Sequence, residues 1–64
     1  MTPMPDPVTA TERLAQQYSS TEARRACWRG AAWVRRQVAN ESQGVDRLRN
    51  EQLANVYEAR EAEA

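Results

Sequence analysis

Small and apolar residues recur at positions 23, 26, 27, 30, 31, 34 and 38, with Trp33 at the edge of the same stripe. Steps of three and four residues are the spacing of an amphipathic helix, about 100° per residue. A strand is excluded over this stretch, because apolar residues do not alternate and Ala and Arg dominate it. Ser19-Ser-Thr-Glu22 reads as a capping box opening the helix, so a helix is expected over about 20–40. Gly30 costs about 1 kcal/mol relative to alanine in a helix interior. Placed on the small-residue stripe, it marks a close helix–helix approach, within the chain or between associated copies, for which the Leu48–Val56 seam is the other expected contact.

The same pattern predicts two further helices. Thr9-Ala-Thr-Glu12 is a second capping box, opening a helix over about 10–18 with Leu14 and Tyr18 on one face. Ser19-Ser20-Thr21 favours a break. A continuous helix would instead put Leu14 and Trp28 on a shared second face. Asn40-Glu-Ser-Gln-Gly44 reads as a turn in which Gly44 suits a left-handed C′ position. A last helix over about 45–61 carries Val45, Leu48, Gln52, Val56 and Ala59 at coiled-coil-like steps, flanked by Leu53 and Tyr57. Two heptads do not establish a coiled coil, so this seam is expected to fold back antiparallel on the middle helix. Its acidic end is expected to fray, since a helix C-terminus prefers cations. Residues 1–8, Met-Thr-Pro-Met-Pro-Asp-Pro-Val, read as a flexible or polyproline-like tail. The fold class is therefore all-α: a small helical hairpin or three-helix arrangement over 9–64 behind a disordered Pro-rich tail.

Charge changes this picture by its distribution. The net charge is zero, yet residues 1–22 balance to −2, residues 23–39 to +5 and residues 40–64 to −3. Arg25, Arg29 and Arg36 form one row of the middle helix and Arg24 and Arg35 another, with Trp28, Ala32 and Ala39 between them. One reading is a basic face with Trp28 covered by arginine stems or by another segment. The other is an aromatic anchor framed by guanidinium groups, which makes Arg24, Arg25, Trp28, Arg29, Arg35 and Arg36 the candidate partner-binding residues. On that reading Trp33 is the structural tryptophan and Trp28 the binding one. The two acidic segments answer part of the basic charge, which weakens an argument for nucleic acid from arginines alone.

Composition bounds the function. Sixty-four residues allow one small domain, and the absence of Lys beside nine basic and eleven Ala residues is compatible with a phage or mobile-element origin. Ordering costs about 1.5 kcal/mol per residue, so a core this thin is close to break-even and homo-oligomerisation is expected. The single cysteine, Cys27, forms no internal disulfide and reads as a small buried hydrophobe. No span or signal is legible, so a cytoplasmic location without membrane contact is expected. Without histidine there is no ordinary general base, no Ser/His or Cys/His pair and no Cys/His zinc site. Glu58 and Glu61, one turn apart, are better read as solvated carboxylates than as metal ligands. No catalytic residue, cofactor or metal is expected. A helix–turn–helix comparison fails on order, because the basic helix precedes the turn and the helix after it is net acidic. The function expected is non-catalytic protein binding: an adaptor, modulator or inhibitor of a larger protein, or a subunit of an assembly. The alternative is a small nucleic-acid-binding regulator using the Arg-rich helix.

Overall fold

The computed structural model describes residues 6–64, an all-α chain of three helices: α1 Pro7–Ala15, α2 Thr21–Glu41 and α3 Gly44–Glu63. Of the tail expected over 1–8, residues 1–5 lie outside the described residues, while Pro7 and Val8 are helical. The reason is local. Asp6 is the N-cap: its carboxylate accepts from the Thr9 amide and the Thr9 hydroxyl, both at 2.9 Å. Pro7 takes the first helical position, where its fixed φ fits and no N–H is missed. The cap thus lies three residues before the Thr9 box read from sequence. Those two hydrogen bonds, the amide one first, hold the Asp6 carboxyl below its ordinary value.

α1 has the length of the expected 10–18 but starts and stops three residues earlier. After Ala15 the Gln17 amide bonds to Leu14 O and the Tyr18 amide to Ala15 O, turns tighter than an α-helix. The chain breaks at Ser19–Ser20, and Ser20 caps α2 by accepting from the Ala23 amide at 3.0 Å. The cap is one residue later than the box through Ser19 and Glu22. At the other end, Ser42 closes α2 and its hydroxyl donates to Val38 O at 2.7 Å. Gly44 has a φ of +62°, the left-handed conformation that only glycine adopts without strain, one residue past C′.

α3 returns antiparallel to α2, but the faces that meet are not the expected ones. α2 turns Trp28, Ala32 and Ala39 inward, and α3 turns Ala54 and Tyr57 inward. Trp28 and Tyr57 lie with ring centroids 5.8 Å apart, tilted by 42°. Such a pair contributes about 0.5–1.5 kcal/mol beyond the area it buries. Ala15 from α1 completes the cluster, with Val8, Cys27, Ala31 and Leu53 packed around it. The alanines at 32, 39 and 54 let the helix axes approach, while the two rings supply the area. The stripe of Ala23, Ala26, Gly30 and Val34 therefore does not receive α3. The Val45, Leu48 and Val56 seam also stays outside.

A candidate docking groove between α1 and α2

The row of α2 arginines is used within the chain. Arg25 Nε donates to Ala64 O at 2.9 Å, Arg29 Nε to Glu61 at 2.8 Å, and Arg36 to Glu58 at 2.9 Å and Asn55 at 3.0 Å. These contacts run in antiparallel order along α3, so the basic row matches the acidic end of the chain. They also hold the end expected to fray: α3 continues to Glu63, two residues beyond the expected stop at 61. In the second row, Arg35 donates to Asn50 Oδ1 at 3.2 Å, while Asn50 donates to Asp46 O. Arg24 donates to Tyr18 O at 3.0 Å and to Thr21 Oγ1 at 3.2 Å, bracing the α1–α2 turn.

Trp28, the centre of the expected binding set, is 5% exposed, whereas Trp33 is 65% exposed. The structural and exposed tryptophans are thus exchanged relative to the expectation. The cause is the choice of packing face: with Trp28 against Tyr57 and Ala15, α2 is rolled so that Trp33 points away from both neighbours. The six candidates Arg24, Arg25, Trp28, Arg29, Arg35 and Arg36 share one side, but that side faces α3 and the turn. Glu58 and Glu61 serve as arginine partners. Among the described residues no three His, Cys, Asp or Glu side chains gather as a metal site.

The opposite side of α2 forms a groove of about 530 Å³ with α1. Ala23, Ala26, Cys27, Gly30, Ala31 and Val34 make its floor, and Thr11, Leu14 and Tyr18 its wall. No charged residue lines it. Nothing lies within 4 Å of where a Gly30 Cβ would be, so the close approach that the glycine permits is not used inside the chain. Leu14, Tyr18 and Val34 are each close to half exposed, and Trp33 and Val38 extend the apolar surface beside them. Leu14 and Tyr18 share a face as their spacing predicts, but that face forms the groove wall. A smaller hollow of about 230 Å³ lies where Glu12 and Gln16 of α1 approach Arg24 and Arg60, and it mixes these polar groups with Ala15, Trp28 and Ala64. No helix is long and apolar enough to cross a membrane among the described residues. The chain matches no family model, no curated protein and no solved structure.

Proposed function

We propose that this chain is a non-catalytic helical protein-binding module that receives an apolar helix face of a partner in the α1–α2 groove. The observation that carries the reading is the charge-free groove itself, floored by small residues and walled by Leu14 and Tyr18. A floor of Ala and Gly lets a partner backbone come close, and a bulky apolar wall gives it something to bury against. That combination suits helix-in-groove recognition. Leu14, Tyr18 and Val34 stay about half exposed around the groove, apolar surface that a partner helix would cover. An adaptor, an inhibitor of a larger protein and an assembly subunit all fit, working in the cytoplasm and self-associating to cover apolar surface. The nucleic-acid reading draws less support, because the arginines it needs are engaged with Glu58, Glu61, Asn50, Asn55 and backbone carbonyls. The test is co-purification from the native host with wild type, Ala26→Glu and Arg49→Glu chains of equal helicity. A partner retained by wild type and Arg49→Glu but lost from Ala26→Glu supports the groove. A partner lost only with Arg49→Glu, or a steep salt dependence with nucleic acid in the eluate, contradicts it.

A further inference from the structure

The face of α3 turned away from α2 carries Val45, Leu48, Gln52, Val56 and Ala59, all exposed, with Val45 at 63%, Leu48 at 54% and Val56 at 40%. The steps between them are three, four, four and three residues, the same read from either end. A helix face with this symmetry is complementary to itself when a second copy is laid against it antiparallel about a two-fold axis. We propose that α3 is a homodimer interface whose two-fold axis passes Gln52. In that register Leu48 meets Val56 of the second copy, Val45 meets Ala59, and each Gln52 meets its twin.

The polar residue at the centre of the seam agrees with this register. A glutamine amide carries both donors and an acceptor, so two Gln52 side chains on the axis satisfy one another. A single polar residue within an apolar seam is a known way of fixing register at some cost in stability. Under this two-fold, like flanks face each other. One flank carries Arg47, Glu51, Asn55 and Glu58. There Glu51 falls one step from both its own twin and Asn55 of the second copy, whose amide donates to it, while Arg47 and Glu58 lie toward α2 and keep the pairs Arg47–Glu51 and Arg36–Glu58 within each chain. On the other flank, Arg49 and Arg60 lie at the levels of positions 55 and 44 of the second copy, where that flank carries no cation. The seam is about 21 Å long at 1.5 Å per residue. A single helix pair of that length is a small contact beside the ~1,000 Å² total of specific interfaces, so a weak, concentration-dependent dimer is expected. The dimer would leave both α1–α2 grooves open for other partners. The proposal rests on α3 alone and not on the groove reading.

The experiment is cysteine cross-linking under mild oxidation in a Cys27→Ala background, with sedimentation equilibrium on the same proteins. Gln52→Cys should form a covalent dimer. Val45→Cys and Ala59→Cys should each do so poorly alone and well when mixed. Leu48→Glu should weaken the dimer by ~100-fold, because the change enters twice per interface, while Ala26→Glu in the groove should leave it within about twofold. Ready self-cross-linking of Val45→Cys would show a parallel pairing and overturn the register. A chain that stays monomeric near ~1 mM, a concentration at which micromolar dimers are saturated, would overturn the interface. Dissociation by Ala26→Glu but not by Leu48→Glu would move self-association to the groove and overturn it too.

Discussion

Replacing each tryptophan by alanine should separate the inside of this molecule from its outside. A tryptophan side chain buries about 150–250 Å², and each Å² is worth roughly 25 cal/mol. Trp28 is 5% exposed, so nearly all of that area is at stake, about 5 kcal/mol as an upper bound. A compact unfolded state lowers this to about 3–5 kcal/mol, the range found for large aromatic-to-alanine changes in cores. A chain of this length has a total stability of roughly 3–10 kcal/mol. Trp28→Ala should therefore remove a third or more of the stability and unfold much of the protein at 37 °C. Trp33 is 65% exposed, and the same arithmetic leaves about 1–2 kcal/mol. Urea titrations followed by far-UV circular dichroism, at a low concentration where self-association is minor, give both values. Near-native stability for Trp28→Ala with collapse of Trp33→Ala would refute the packing faces described above.

Gly30→Ala meets open space within a helix and should raise stability by about 0.5–1 kcal/mol, whereas Gly44→Ala forces a side chain into the left-handed region and should lower it by about 1–2 kcal/mol. Thermal melts of the two variants check both signs, and a stabilising Gly44→Ala would contradict the turn. Charge reversal at Arg29 and Arg36 places like charges against Glu61 and Glu58 and should cost about 1 kcal/mol each, a cost that shrinks in high salt. Melts of the two variants that coincide with wild type at low salt would show these pairs to be idle. Asp6, whose folded carboxyl is held below its ordinary value, stabilises α1 above that ordinary value, and the effect is lost as pH falls through the folded one. The Thr9 amide shift should titrate with Asp6 in wild type and stay flat in Asp6→Asn; a Thr9 shift that ignores acid would contradict the cap.

The helices were legible because their signals are local. The steps at 23, 27, 30, 34 and 38 specify α2, Ser19–Thr21 specifies a break, and Gly44 specifies a left-handed turn residue. Which face of α2 would be internal was not legible, because two faces were plausible. One was a continuous stripe of small residues, and the other held Trp28 and two alanines between rows of arginine. Counting apolar positions favours the stripe, but the area available from Trp28 against Tyr57 outweighs several alanine and glycine contacts. The arginine rows then cease to oppose burial, since antiparallel α3 brings Glu58, Glu61, Asn50 and Asn55 to meet them. The balance of +5 in the middle segment and −3 in the last was the available clue. The Asp6 cap was hidden by the prolines around it, because Pro7 reads as a breaker until it is placed at a first helical position, where it is favoured.

The central claim, that the groove side of α2 is the side a partner touches, is tested most directly by site-specific photo-cross-linking. A benzophenone amino acid at Val34 reports on the groove, and the same probe at Arg49 reports on the outer flank of α3. The account predicts one discrete adduct from the Val34 probe in the native host, competed away by unlabelled wild type but not by Ala26→Glu. Adducts from the Arg49 probe should be limited to a second copy of the chain. A discrete, competable adduct with another macromolecule that arises from Arg49 and never from Val34 would contradict it.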